Sequence, residues 1–530
     1  MRLSVLLAAV SPRRVTGKGL ASGGVISDPE VTSIHCRADQ VRPGGVFVAV
    51  RGRHADGHDF TGEALARGAV AVVAEKSDIN DAIVAEVDDS RKALALLAAD
   101  FYGRPAERLK MIGVTGTNGK TTTVALIESI LTAGGAVAGV IGTGNFRYRG
   151  KTFVNPLTTP DAVDLQRILA EMEGAGVTHV VMEVSSHALD QKRVAGCAYD
   201  AAVFTNLTQD HLDYHGTMED YWACKQLLFT AYLGDGAGAK KAAAVINCND
   251  ARGRDLCGRL QHVQLIRVGE TGDCQVFPRN VRLTPGGIAG DIVTPAGALS
   301  FSSPLCGHYN CENILCAVGA VVALGIANED IRAGIEAFQG VPGRLERVPN
   351  LVNRHVFVDY AHTPDALANV LGTIRAITSG RLFCVFGCGG DRDRKKRPEM
   401  GRIAMDGADR VVITSDNPRS EEPEDIIRDI LAGIGETASA VSDVRELGRC
   451  NGGKRYLVEP DRSRGIAAAV LASRPDDTVV IAGKGSEACQ IFRDRTINFD
   501  DRLEARNALR LLETEFRPDG ARCEMQRAGE

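Results

Sequence analysis

Three residue types at fixed offsets carry the first chemistry: glycine at 113, 116 and 119, lysine at 120 and threonine at 121, in Gly113-Val-Thr-Gly-Thr-Asn-Gly-Lys-Thr121. Glycines let a chain turn tightly and bring backbone N–H groups against phosphate oxygens, at the positive end of a following helix. A lysine behind them can neutralise the β and γ phosphates, and a hydroxyl beside it can ligate magnesium. The commoner Gly-x-x-x-x-Gly-Lys-Thr spacing would need glycine at 114, where Val114 stands. The ligand expected is a nucleoside triphosphate; the weaker alternative is a glycine-rich strand-to-helix turn that binds nothing.

Two further segments read as strand ends carrying polar groups. They are Met182-Glu-Val-Ser-Ser-His187 and Thr205-Asn-Leu-Thr-Gln-Asp-His-Leu-Asp-Tyr-His215. Ligands of open α/β sheets sit beyond the carboxyl ends of the strands. Glu183 and His211 are therefore candidates for the magnesium side of the site. Taken singly, each has a plain alternative, a helix cap for Glu183 and a satisfied core histidine for His211. Their joint position beside a phosphate loop favours the site.

The elements that must hold these residues recur in a strand-then-helix rhythm. Apolar strand candidates at 46–50 and 69–74 flank a helix-like 62–67, and 103–108 reads as a connector. Strands follow at 109–114, 179–184, 201–205 and 243–247, with a helix at 122–131, which predicts a largely parallel sheet with helical crossovers. A Gly- and Thr-rich stretch at 281–303 predicts a short antiparallel excursion, and 310–324 a buried helix. Beyond the turn-rich 339–343, strands at 355–360, 382–386, 410–414 and 478–482 predict a second doubly wound sheet. The expectation is α/β throughout: a smaller N-terminal α/β domain over 1–108, a central ATPase sheet over 109–340 and a Rossmann-like C-terminal domain over 341–530. A length of 530 residues accommodates about three domains.

Composition narrows the class. With 62 basic against 67 acidic side chains and no basic tract, nothing calls for nucleic acid. No run of about eighteen apolar residues predicts a membrane span. The apolar 3–10 after Arg2 is too short and lacks the cleavage context of a signal peptide. Fourteen cysteines without a Cys-x-x-Cys pair argue against a zinc ribbon or disulfide framework, and a reducing cytoplasm is the expected home.

The loop Gly116-Thr-Asn-Gly-Lys-Thr121, with Glu183-Val-Ser-Ser-His187 and Asp210-His-Leu-Asp-Tyr-His215, resembles the Mur ligases, ATP-dependent amide-forming enzymes of peptidoglycan precursor synthesis. The resemblance continues through Gly307-His-Tyr-Asn310, Gly343-Arg-Leu-Glu346, Val358-Asp-Tyr-Ala-His-Thr-Pro364 and Gly387-Cys-Gly-Gly-Asp-Arg-Asp393, and so covers nearly the whole chain. It implies a carboxylate that attacks the γ-phosphate, an acyl phosphate, and an amine that displaces phosphate. ATP would be held by Gly116, Thr117, Asn118, Gly119, Lys120, Thr121 and Thr122, with Asn310, Arg344 and Asp359 at its nucleoside and phosphate. Thr121, Glu183, His211 and Lys225 would hold magnesium, and Lys120, His211 and Lys225 would be catalytic. Lys225 matches a lysine that the family carries as a carbamate made from carbon dioxide; read from the residues alone it is a surface-helix lysine.

The resemblance also names substrates. Cys36, Thr158, Thr159, Ser185 and Arg193 match positions around the UDP-N-acetylmuramoyl-L-alanyl-D-glutamate. Asp416-Asn417-Pro418-Arg419 resembles the signature of Mur ligases that add meso-2,6-diaminopimelate, with Arg392, Gly483 and Glu487 as further contacts. An arginine can clamp that amino acid's distal carboxylate bidentately, a group lysine lacks. Two positions depart from the family: His35-Cys36-Arg37 stands where Asp-Ser-Arg is usual, and Ser486 where histidine is usual. A monomer is expected. The alternatives are another amide ligase of the superfamily, such as a folylpolyglutamate synthetase, and a catalytically inactive nucleotide-binding scaffold.

Overall fold

The computed structural model describes residues 1–17, 28–52, 55–79, 81–234, 242–261, 263–270, 272–435, 438–449 and 453–515. The polar tail after Arg517, expected to be loose, lies outside them. The chain packs as two compact units. One comprises Met1–Arg279, Asp291–Phe301 and Glu312–Ala337; the other comprises Asn280–Gly290, Ser302–Cys311 and the chain from Phe338 onward.

The first unit holds two sheets. A five-stranded sheet runs in the order Arg14–Thr16, Val84–Glu86, Ala71–Ala74, Gly45–Val48, Ser33–His35, parallel except at Arg14–Thr16. The apolar N-terminal run is spent on packing here: it forms the helix Leu3–Ala8, whose Leu3, Leu6 and Leu7 join Val46, Val48 and Val73 in one core. The expected connector at 103–108 is instead a short helix, Pro105–Arg108. Pro105 starts it, where a missing N–H costs nothing, and Ala106 is buried.

The second sheet carries the phosphate loop. Its eight strands run Gln264–Val268, Ala243–Asn247, Ala201–Phe204, Lys110–Thr115, His179–Glu183, Ala138–Ile141, Gly144–Tyr148, Lys151–Asn155, the last two antiparallel. The interior strands are Val/Ile/Ala runs buried on both faces, as a parallel sheet covered by helices requires. From Lys110–Thr115 the chain first winds to one side, through Ala138–Ile141 and back to His179–Glu183, and then crosses to Ala201–Phe204 on the other. The loop after Lys110–Thr115 therefore opens where the strand order reverses, the usual ligand crevice of such sheets. Asp161, Ser185, Thr217 and Asp250 each accept backbone N–H groups at the start of the next helix, which fixes where those helices begin.

The three strands Phe277–Thr284, Gly287–Thr294 and Gly297–Ser303 form the expected excursion, with two-residue connections that only antiparallel neighbours allow. The helix expected at 310–324 is His308–Ala323.

In the second unit a seven-stranded sheet runs Glu346–Arg347, His355–Asp359, Thr478–Ala482, Leu382–Phe386, Arg410–Ile413, Arg455–Val458, Ser439–Val441, parallel except at Glu346–Arg347. One face packs Phe357, Leu371, Phe386 and Met400, the other Val358, Phe383, Ile466 and Leu509. Strands Ser439–Val441 and Arg455–Val458 were not expected; their half-exposed residues give no continuous apolar run. Among the described residues no helix is long and apolar enough to cross a membrane.

Candidate active site

The phosphate loop joins the strand Lys110–Thr115 to the helix Lys120–Ala133. Gly116 (φ +147°) and Gly119 (φ +84°) adopt backbone that side chains resist. Both are also hemmed in, because a Cβ would come within 1.9 Å of Thr205 Oγ1 at the first and 2.2 Å of Asn313 Oδ1 at the second. Gly113 serves differently: it lies inside the strand, where a Cβ would meet the Tyr199 ring at 2.8 Å, so its smallness answers to packing and not to phosphate.

The loop is braced from the next strand end. Asn118 N donates to Asn206 Oδ1 (2.9 Å), Thr117 N to the Asn206 carbonyl (2.8 Å) and Thr205 Oγ1 to the Asn118 carbonyl (2.7 Å). Thr117 Oγ1 accepts from Thr208 N (3.0 Å) and meets Tyr221 OH (3.2 Å). Thr122 is buried in the helix's first turn.

Two lysines converge on this loop. Lys120 Nζ donates to the carbonyls of Gly116 (2.9 Å) and Thr117 (2.7 Å), and Lys225 Nζ donates to the same Gly116 carbonyl (2.7 Å). Lys225 is 1% exposed, with its ammonium 4.3 Å from the centre of the Tyr221 ring. A surface-helix lysine is thereby ruled out. Burial, and then the Lys120 charge, push the Lys225 pKa well below the usual lysine range. That shift favours the neutral, nucleophilic form of the amine.

Glu183 ends its strand buried. Its Oε1 accepts from Thr121 Oγ1 (3.1 Å) and Thr143 N (3.0 Å), and its Oε2 from Thr143 Oγ1 (3.2 Å). It caps no helix; Ser185 does that. His211 has left-handed backbone (φ +54°) and is half exposed, so it is no core histidine. Its ring meets His187 edge-on at 4.9 Å and Tyr221 at 6.1 Å. Burial first, then the neighbouring His211, His215 and Arg193, lower His187 to about 4.

Behind Glu183 lies a hydroxyl chain. Thr159 Oγ1 donates to the Glu183 carbonyl (2.8 Å) and accepts from Ser185 N (3.1 Å); Thr158 Oγ1 meets Thr143 Oγ1 (3.1 Å); Arg193 Nη1 donates to the Thr159 carbonyl (2.9 Å). Thr158, Thr159, Ser185 and Arg193 are thus gathered beside Glu183. Cys36 packs against the N-terminal core beside Asp161, which in turn feels the Arg193 charge, and burial holds the Cys36 thiol at about 11, protonated.

In the second unit, Asp416 and Asn417 meet Gly483, Lys484 and Glu487. Lys484 is fully buried; its Nζ donates to Asn417 Oδ1 (2.9 Å) and Glu487 Oε2 (3.1 Å) and lies 3.8 Å from Asp416 Oδ1. Asn417 Nδ2 donates to Glu487 Oε2 (2.9 Å). Burial raises the Asp416 pKa, opposed by Arg462 and Lys484. Arg462 is itself locked by paired bonds to Asp501 (2.7 Å each).

Arg419 takes left-handed backbone (φ +53°) and rests Nη1 on the Gly390 carbonyl (2.8 Å). A Cβ on Gly389 would meet Arg419 Nη1 at 2.9 Å and Arg392 Cγ at 3.7 Å, so both arginines flank one glycine. Neither has a carboxylate partner among the described residues. Arg397, buried, ties this region down through Glu421 (2.8 and 2.9 Å).

Asp359, Asn310 and Arg344 show plainer geometry. Asp359 accepts from Leu345 N (2.7 Å) and Ala361 N (2.8 Å) as a strand-end cap, and Asn310 Nδ2 donates to the Cys306 carbonyl (2.8 Å). The Arg344 guanidinium stacks 5.0 Å from the Tyr360 ring centre.

Sequence reasoning missed Thr143, Asn206, Tyr221 and Lys484. Only Lys484 left a local signal, a lysine between two glycines of positive φ (Gly483 +120°, Gly485 +54°). The others reach the site through strand pairing.

Family models match the chain in three successive stretches: Mur ligase family, catalytic domain, over 30–102; Mur ligase middle domain over 114–321; and Mur ligase, glutamate ligase domain, over 343–485. The chain belongs to the Mur ligase family, with its three-domain α/β architecture. Among individual relatives, it is 44% identical to the UDP-N-acetylmuramoyl-L-alanyl-D-glutamate--2,6-diaminopimelate ligase of Geobacter metallireducens, over 97% of this chain and 99% of that one. It is 46% identical to the enzyme of the same name from Gloeobacter violaceus, covering 91% and 95%. A solved structure titled with that name superposes at a TM-score of 0.70, with 32% identity over 91% of this chain and 95% of the other.

Proposed function

We propose that this chain is an ATP-dependent acid–amino-acid ligase that adds meso-diaminopimelate to UDP-N-acetylmuramoyl-L-alanyl-D-glutamate, forming ADP and phosphate, in cytoplasmic peptidoglycan precursor synthesis. Its domains divide at 108/109 and 340/341. ATP is held by the loop 116–122, with Asn310, Arg344 and Asp359 for the nucleoside and phosphates; the nucleotide-sugar dipeptide is held by Cys36, Thr158, Thr159, Ser185 and Arg193.

Whether the residues suit magnesium is a question of donor type. Thr121 and Glu183 offer hard oxygens 3.1 Å apart, which fit it. Lys225 as an amine does not, and fits only as a carbamate, which its buried, low-pKa nitrogen favours. Thr121 and Glu183 would hold one ion, with His211 and carbamylated Lys225 toward a second; the metal supplies charge neutralisation where two anions meet.

The chain's own residues do the rest. Lys120 draws the γ-phosphate to the loop while the dipeptide carboxylate attacks phosphorus and ADP leaves. A carboxylate cannot expel oxide, so phosphate becomes its leaving group when the amine attacks. Arg392 and Arg419 clamp the distal carboxylate of the amino acid, and Glu487, held by Asn417 and Lys484, faces its ammonium.

The observation that carries the specificity is the pair of arginines beside Gly389, which rest on backbone carbonyls and form no ion pair among the described residues, together with the Glu487 carboxylate held by Asn417 and Lys484. The test is phosphate release with meso-diaminopimelate, L-lysine or L-ornithine. Release is expected only when the nucleotide dipeptide and meso-diaminopimelate are both present; release with a folate and glutamate in their place overturns the assignment.

A further inference from the structure

No two of the fourteen cysteines form a Cys-x-x-Cys pair in sequence, yet folding gathers three in the first unit. Cys248 follows the strand Ala243–Asn247 and Cys257 ends the helix Ala251–Cys257, and their sulfurs stand 3.8 Å apart. Cys274 lies within hydrogen-bond reach of Cys248. Cys248 and Cys274 are buried, while Cys257 is half-buried and reachable. We propose that Cys248 and Cys257 form a reversible oxidation site for hydroperoxides, whose disulfide weakens nucleotide binding at the loop 116–121.

The chemistry needs one attacking and one resolving sulfur. Cys257 is the half-buried member of the pair, and its contact with Cys248 and then the Arg267 charge favour its thiolate, so Cys257 is the attacker. Its thiolate attacks one oxygen of hydrogen peroxide, the O–O bond breaks, and hydroxide leaves to become water on taking a proton. Cys248 gives up its thiol proton and attacks the sulfenic sulfur; the S–O bond breaks and a second water leaves. Two thiols lose two electrons and the peroxide gains them.

The consequence travels through bonds already named or adjacent to them. A disulfide needs sulfurs about 2.05 Å apart, so closing the pair draws the helix toward the turn at Cys248. There is no slack at that join: a Cβ on Gly253 would come within 2.1 Å of the Asn247 carbonyl oxygen. Asp250 caps the same helix through Arg252 N (2.8 Å) and Gly253 N (3.1 Å), and its other oxygen accepts from Leu207 N (2.8 Å). Asn247 Nδ2 donates to the Thr205 carbonyl (2.8 Å). Thr205 and Asn206 are the residues that brace Asn118.

The inference rests on the nucleotide reading of that loop. Full-length protein is treated with hydrogen peroxide, quenched, alkylated and digested with trypsin without reductant; cleavage after Arg252 and Arg254 separates the two cysteines. ATP affinity is measured on the same samples. The expected result is a Cys248–Cys257 cross-linked peptide and an affinity loss of at least about fivefold, reversed by dithiothreitol. Cys257→Ser is expected to keep the untreated affinity and lose the response. A Cys248–Cys274 link, no link, a link without affinity change, or an equal loss in Cys257→Ser overturns the proposal. Untreated protein that binds no ATP defeats the nucleotide reading instead, while the peptide map still decides the disulfide.

Discussion

Around Gly116 two lysine ammonium groups lean on one backbone carbonyl, whereas around Lys484 the amine is met by Asn417, Asp416 and Glu487 side chains. The first arrangement sets two amines on one backbone carbonyl; the second sets one amine among carboxylate and amide side chains. On the proposed reading the first arrangement faces a polyphosphate, whose negative charge two neighbouring lysines would attract. On the same reading, recognition of an amino acid carrying both charges would use the Glu487 carboxylate held by Asn417 and Lys484, and arginines in a region steadied by the Arg397–Glu421 tie.

The largest effect that sharpens this contrast belongs to Lys120. Lys120→Ala should lower kcat by about a thousandfold, as loss of a group that meets transition-state charge does, with the nucleotide-dipeptide affinity unchanged; phosphate release and equilibrium binding check the two halves. Lys225→Arg keeps a cation but cannot become a carbamate. It should lose about a hundredfold in kcat and show no response to bicarbonate, while wild-type enzyme depleted of carbon dioxide regains activity when bicarbonate is added. A bicarbonate-insensitive wild type would leave Lys225 a packing residue.

On the recognition side the effects are smaller. Asn417→Ala leaves the buried Lys484 and Glu487 without their bridging amide; a stability loss of about 1–3 kcal/mol is expected by thermal or denaturant unfolding, with a raised KM for the amino acid.

Smallest is a difference in acid response. His187, held at about 4 against an ordinary 6.5, is neutral when folded, so the unfolded chain binds more protons between those values. The His187 contribution should lower the first unit's stability as pH drops from 6.5 to about 4, with no further loss from this group below that. Glu421, held at about 2 against 4.5, stabilises fully above 4.5 and loses that contribution only between 4.5 and 2. Unit-resolved proteolysis across pH 7 to 3 should find the first unit softening first.

The strands at 243–247, 382–386 and 478–482 were legible because interior parallel strands are short continuous apolar runs. The partly exposed strand Gly144–Tyr148 and the edge strands Lys151–Asn155 and Ser439–Val441 were not, since exposure removes that pattern. Of the candidate site residues, Lys120 and Arg419 stand in local motifs that can be read from the sequence. The burial of Lys225, the Thr143 grip on Glu183 and the thiol pair at 248 and 257 are meetings between distant segments, set by sheet order, and no local spacing records them. Gly113 was read as part of the phosphate cradle, but the Tyr199 ring accounts for it.

The central claim, that charge is consumed at one end and read at the other, is tested most directly by the kcat/KM ratio for meso-diaminopimelate over L-lysine in wild type and Arg419→Ala. The account predicts that the ratio falls by about a hundredfold, mostly through the loss of meso-diaminopimelate turnover, with ATP affinity unchanged. An unchanged ratio, or an equal loss with both amino acids, would contradict it.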